Sequence, residues 1–404
     1  MPLDRRSLLA AAIGASALAH TAKAQAVQAA QASAADPLGV RGDFPITSAK
    51  GIFLNTAYSA PVPRPVIAAA QEASERKAMN PINAGAEYTQ QVRNRFARLI
   101  NAEPDEIALI RSTGEGENLV AWGLGLKPGD NVVMSSLHYD SEFILYRVIE
   151  KELGVQFRIV PHKDGVVGVK EMEPFVDKRT RLITVALVSH QNGFVHDLKA
   201  LADLAHANGA YLFADAVQAA GAVPIDVKAS GVDFLCANSY KWLLSTGSVS
   251  GFYVRRGLFG RLHLDRYGEG QISRRLPNRQ YEFYDDARRF EFTSIGDVSA
   301  AQFAASLAYI DRIGLPRIEA HGVGLGLKLQ RELGGLGRRL YTPPGNRSPI
   351  VAYYINTPPP QARETFAKAG INVTARDGTV RVSAALFNTE AEIDRFLDVA
   401  QTIA

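Results

Sequence analysis

The chain has 404 residues, 47% of them hydrophobic and 21% charged, a composition of packed globular proteins that excludes fibrous and disordered ones. Its net charge of +4, from 45 Lys+Arg against 41 Asp+Glu, is too even for a nucleic-acid footprint, and no basic stripe with interleaved aromatics occurs. The single cysteine, Cys236, excludes an intramolecular disulfide and a cysteine-rich zinc site. His190, His196 and Asp197 match no strong metal-binding spacing, so no metal is expected.

Residues 1–26 read as an export signal: Arg5 and Arg6, an alanine-rich apolar stretch over 8–19, then Ala22-Lys23-Ala24 and Ala24-Gln25-Ala26 as small-x-small cleavage points. Asp4-Arg5-Arg6-Ser7-Leu8-Leu9 resembles the twin-arginine motif, with Asp4 where that motif prefers Ser or Thr and Leu8 where it often has Phe. An ordinary Sec signal also begins with basic residues; the weakly hydrophobic core favours the twin-arginine route, which carries folded proteins to the periplasm. Replacing Arg5 and Arg6 together by lysine is expected to hold the precursor in the cytoplasm, and unchanged periplasmic appearance would point to Sec. Residues 27–38 form a low-complexity leader. Beyond residue 26 no run is apolar enough to span a bilayer.

Residues 39–70 are expected to join a small C-terminal domain. Over 71–300, short β-branched runs alternate with helical stretches: strands at 106–110, 131–135, 156–160, 182–188, 210–214, 233–237 and 251–254, with a helix over 198–207 that stops at Asn208-Gly209. This alternation predicts an α/β domain on a mostly parallel seven-stranded sheet covered on both faces, with ligands at the carboxyl ends of its strands. Residues 301–404 predict a smaller α+β domain: a helix to about 333, a strand at 350–355, a helix at 360–369, paired strands at 371–375 and 380–383, and a last helix after Asn388.

The chemistry concentrates where two strands end. Asp215 closes one strand, and Lys241 follows the next, 26 residues on, an interval that fits one crossover and one strand. A lysine beside a carboxylate at one sheet edge supplies what pyridoxal phosphate needs, an amine for the Schiff base and an anion that keeps the pyridine nitrogen protonated. Gln218 is placed to donate to the cofactor phenolate. By themselves these residues leave another reading open, since an aspartate after a strand also caps helices and a lone lysine is usually on the surface.

The stretch ADAVQAAGAVPIDVKASGVDFLCANSYKWL resembles the cofactor signature of the class V aminotransferase and cysteine desulfurase superfamily, whose Asp, Gln and Schiff-base Lys fall on Asp215, Gln218 and Lys241. The likeness spans roughly 50–400; Lys-Trp-Leu is similar to the isopenicillin N epimerase-like branch, and Ser-Tyr-Lys to kynureninase. It implies the fold type I architecture of pyridoxal-phosphate enzymes, that cofactor, and a homodimer with shared sites. It also implies that the amides of Thr113, Gly114 and Glu115 cradle the phosphate at a helix start. His138 would stack on the pyridine ring as a catalytic residue, Tyr240 and Asn238 would join the phosphate site, and Ser189 and His190 would lie near the phenolate. Many relatives carry Asn at the His190 position, so its role stays open. Phe290-Glu291-Phe292-Thr293-Ser294 resembles a segment that reaches the neighbouring subunit's phosphate, which leaves Thr293 and Ser294 as alternatives. Arg381 falls where the family binds the substrate carboxylate, a task suited to a planar bidentate donor. The bland alternatives are a helix cap at 113, a turn histidine at 138 and a surface salt-bridge arginine at 381.

The loop 375–379, where desulfurases place a reactive cysteine, has none. Cys236 lies in an apolar run and reads as a core residue. A small amino-acid-like substrate is expected, undergoing transamination or epimerisation, with a kynureninase-like or carbon–sulfur lyase and a non-catalytic periplasmic binding protein as the alternatives.

Overall fold

A computed structural model describes residues 35–49, 51–82 and 85–404. The export signal at 1–26 and the leader as far as 34 lie outside the described residues. The first strand, β1 (Ile52–Phe53), is followed by helices α1 (Arg64–Met79) and α2 (Ala86–Leu99).

The large sheet is built from β2 (Ile107–Ile110), β3 (Asn131–Ser135), β4 (Gln156–Val160), β5 (Thr180–Ala186), β6 (Tyr211–Asp215), β7 (Phe234–Asn238) and β8 (Ser250–Val254), in the order β2-β8-β7-β6-β5-β3-β4. Only β8 runs against its neighbours. The strands alternate between two cores: Leu109, Val133, Ile183, Leu212 and Leu235 pack into one, and Ala108, Val132, Leu182, Phe213 and Phe234 into the other. Both faces of a strand buried in this way need the near-continuous apolar runs seen in the sequence.

Several strand ends differ from expectation by one or two residues, and two of the differences have a visible cause. Glu106 belongs to a turn rather than to β2, because its carboxylate closes back on the Glu103 amide at 3.0 Å. The apolar run after Ala186 leaves the sheet, with Val188 bridging Val195. The crossovers carry α3 (Thr113–Gly123), α4 (Asp140–Leu153) and α5 (Leu198–Ala207). Ser112 caps α3 and Asp197 caps α5, each accepting an amide that the first turn leaves free.

A projecting hairpin, β9 (Ile272–Leu276) and β10 (Gln280–Phe283), precedes the long helices α6 (Asp297–Ile313) and α7 (Leu315–Gly335). The smaller unit holds β11 (Ile350–Tyr354), α8 (Pro359–Lys368), β12 (Ile371–Asn372), β13 (Thr374–Arg376), β14 (Thr379–Ser383) and α9 (Glu390–Ala400). Its three-stranded sheet, β11-β14-β13, covers a core in which Phe366 and Phe396 stack at 5.2 Å. β1 pairs in parallel with β12, and Leu54 enters the same core. Asp377 and Gly378, both with positive φ, make the two-residue turn from β13 to β14, the backbone hand that matches the twist of a hairpin. This turn sets Arg381 opposite Thr374.

Candidate active site

Asp215 and Asn238 end neighbouring parallel strands, and the chain after β7 turns back so that Lys241 faces the same edge. An inner cavity of about 240 Å³ lies there, lined by Thr113, Gly114, Tyr139, Glu142, His190, Asp215, Gln218, Asn238, Tyr240 and Lys241. It shares Tyr139, His190, Tyr240 and Lys241 with an outer cavity of about 670 Å³, whose far wall holds Arg381.

Lys241 is only 6% exposed, and burial brings its pKa down to about 8 against the opposing pull of Asp215. Its Nζ lies 5.8 Å from the centroid of the Tyr139 ring and 5.5 Å from that of Tyr240. Burial pushes Asp215 up to about 6, offset in part by the Val217 amide, which donates to it at 2.8 Å, and by Lys241. Two buried glutamates lie nearby: desolvation raises Glu142 to about 7 and holds Glu117 well above the ordinary carboxylate range. Tyr146 and Thr184 both donate to Glu117, at 2.9 and 2.6 Å.

Arg381 is buried and has no carboxylate partner among the described residues. Its Nη1 donates to the His190 carbonyl at 2.7 Å, its Nη2 to Thr374 Oγ1 at 3.2 Å, and its Nε is unpaired. Burial, with Arg376 nearby, lowers its pKa to about 10. A desolvated guanidinium without a counter-ion is costly unless an anion completes it. His190 has a definite tautomer. Arg376 can only donate, so His190 Nε2, 3.0 Å from Arg376 Nη2, accepts, and the ring proton sits on Nδ1, which is buried with no partner. Burial and then Arg381 hold this ring neutral.

Three expected site residues lie elsewhere. His138 is fully buried off the cavity wall: its Nδ1 accepts the Tyr139 amide at 2.7 Å, and its Nε2 contacts Thr184 Oγ1 at 3.1 Å. The ring is held by Thr184 on β5 and lies 3.7 Å from the Glu117 carboxylate on α3, and the wall position belongs to its neighbour Tyr139, which is 43% exposed. Ser189 is likewise interior, its hydroxyl donating to the Leu137 carbonyl at 3.1 Å and so tying two loops together. The Glu115 amide is already committed to Ser112 Oγ at 3.0 Å, and its carboxylate takes the Arg111 amide and Arg266. The amides left free at this helix start are those of Thr113 and Gly114, which have no intrahelical acceptor. Ser294 is exposed and Thr293 half-buried, and neither lines the cavities of its own chain. The sequence reading missed Tyr139 and Glu142, since nothing periodic in a loop separates Tyr139 from the adjacent His138.

The class-V aminotransferase family model matches residues 52–396. The chain belongs to that family. A probable cysteine desulfurase of Methanothermobacter thermautotrophicus is 30% identical over an alignment 392 residues long that covers 90% of this chain and 97% of that one. The uncharacterized aminotransferase YcbU of Bacillus subtilis is 28% identical over 319 residues, 78% of this chain and 85% of its own. Among solved structures, the apo cysteine desulfurase of Thermococcus onnurineus superposes with a TM-score of 0.83 at 26% identity, covering 91% of this chain and 98% of that one.

Class-V aminotransferases use pyridoxal phosphate, and the residues present fit it. The inner cavity sets an amine, a carboxylate and the start of α3 around one space. Two residues of that wall, His190 and Asn238, each hold a buried polar atom, Nδ1 and Oδ1, without a partner among the described residues, and the Thr113 hydroxyl has the Cys236 thiol nearby. Buried polar groups of this kind normally find a partner, and a polar ligand provides one.

Proposed function

We propose that this is an exported, periplasmic pyridoxal-phosphate enzyme that transforms the amino group of an amino acid or a peptide-linked amino acid, by transamination or epimerisation. The observation that carries the reading is Arg381, a buried guanidinium with no anionic partner among the described residues, lining the same outer cavity as Lys241. When bound, the cofactor supplies an electron sink that makes the substrate's α-hydrogen acidic.

The chain's own residues do the rest. The Thr113 and Gly114 amides at the positive end of α3 would hold the phosphate. Asp215 would face the ring nitrogen as its anionic partner, and Tyr139 would cover the ring. Gln218 spends one amide hydrogen on the Ala57 carbonyl at 2.8 Å and keeps its second, which with His190 Nδ1–H would meet the phenolate oxygen. Lys241 would attach the cofactor, and its Nζ, whose pKa burial lowers to about 8, would take up the α-proton and return it.

The relatives named as cysteine desulfurases raise the question of sulfur chemistry. Cys236, the only cysteine, is fully buried in β7 with its thiol held well above the usual range, and the β13–β14 turn is too short to carry a reactive residue. Both features speak against a persulfide on this protein. A carbon–sulfur or kynureninase-like lyase is the second reading, favoured by those relatives' names, because its leaving group departs without a protein thiol.

Incubating the holoenzyme with an amino-acid panel in heavy water tests the reading. Exchange at the α-position with release of a keto acid or an epimer is expected, with no persulfide on Cys236. Release of thiol or sulfide selects the lyase, and absence of exchange with every compound removes the proposal. We further propose a homodimer in which Thr293 or Ser294 reaches the partner's phosphate site. It is supported by their position outside their own cavity and by the exposed Tyr281 and Phe283 of the projecting hairpin. A fully active monomer in sedimentation at micromolar concentration would contradict it.

A further inference from the structure

We propose that the substrate carries a second carboxylate, on its side chain, and that Arg376 with Arg363 receives it; this rests on the amino-acid reading above. Arg381 lies opposite Thr374, and Arg376 is two residues farther along β13. The two arginines are therefore diagonal neighbours on one face of the sheet, with Cβ atoms roughly 7–8 Å apart. Both converge on His190, Arg381 through its carbonyl and Arg376 through its ring, so a single buried residue sets the spacing of the two guanidinium groups. Arg363, projecting from α8, donates to the Ala375 carbonyl at 2.5 Å and lines the same outer cavity.

That cavity presents three guanidinium groups and the Lys241 amine against one carboxylate of its own, Asp140. Arg381, the buried one, accounts for the α-carboxylate. The remaining positive charge stands at the mouth, where a neutral side chain gains little and a cationic one is repelled. Arg376 is not saturated by the protein. Asp140 lies 3.6 Å from its Nη1 and Asp377 3.5 Å from its Nε, both long contacts on exposed side chains that an incoming carboxylate can replace. Asp140, on the opposite wall, thus stands where the substrate's acidic group would sit.

The test titrates the holoenzyme with glutamate, aspartate, glutamine and asparagine, each as both enantiomers, and reads the change in cofactor absorbance on binding. In at least one enantiomeric series the acid is expected to bind about tenfold or more tightly than its amide. The ratio should fall towards one in Arg376→Gln and rise in Asp140→Asn, and both substitutions are at partly exposed side chains where folding tolerates them. Equal affinity for acid and amide in the wild type, a ratio unchanged in Arg376→Gln, or a ratio lowered in Asp140→Asn would each overturn the assignment. If no amino acid changes the spectrum and borohydride leaves no adduct on Lys241, the amino-acid reading itself fails and takes this inference with it. An adduct on Lys241 together with equal binding of acids and amides removes only the acidic-substrate inference.

Discussion

Lys241→Ala is expected to abolish turnover while leaving the folded protein able to retain some cofactor. The lost proton transfer alone removes about 10²–10⁴-fold in rate, and the lost covalent attachment adds to that. Thr113 and Gly114, proposed to hold the phosphate, and the Asp215 carboxylate are on α3 and β6, away from the substituted position, so binding is expected to weaken without vanishing. Two measurements check this. Borohydride reduction followed by peptide mass spectrometry should find a pyridoxyl adduct on Lys241 in the wild type and none in the variant, and single-turnover kinetics should show no α-proton exchange. An adduct on another lysine in the wild type would move the site, and residual exchange close to the wild-type rate would remove Lys241 as the proton carrier.

Arg381→Lys should raise KM for a carboxylate-bearing substrate by roughly ten- to hundredfold, the worth of a charge-assisted hydrogen bond of about 1.5–3 kcal/mol. It should also lower kcat, because a misplaced α-carbon no longer meets Lys241. The geometry explains why a lysine does not substitute. The guanidinium already spends donors on the His190 carbonyl and Thr374, and its planar fork keeps others for the ligand, whereas an ammonium group cannot span these directions at once. β14 is the central strand of its sheet, so a loss of stability must be separated from a loss of anchoring. Thermal unfolding of the variant, set beside kcat and KM, does this. Wild-type kinetics in Arg381→Lys would remove the anchor.

These experiments depend on features that were unequally visible in the amino-acid order. The strands ending at Asp215 and just before Lys241 are runs of buried apolar residues, and their spacing of one crossover obliges their carboxyl ends to meet at one edge. For that reason the sheet, the α5 helix and the meeting of Asp215 and Lys241 at one edge could be placed from periodicity and chain order, while the roles expected of Lys241, Asp215 and Arg381 came from the family resemblance. These are local properties, written in residues a few positions apart.

What only the tertiary structure decided is which way side chains in loops turn and which distant groups they meet. His138 and Tyr139 are adjacent rings, and the turn after β3 buries one and gives the other the cavity wall. Glu115 and Ser189 had the right positions in the chain, but a nearer acceptor claims each: Ser112 takes the Glu115 amide, and the Leu137 carbonyl takes the Ser189 hydroxyl. The arginine pair on His190 joins residues 186 and 191 positions apart, so no window of sequence contains the contact. Local order sets the backbone because a strand or helix needs only its own period. The charge lining of the cavity is decided by tertiary packing, which brings side chains from distant parts of the chain against one another.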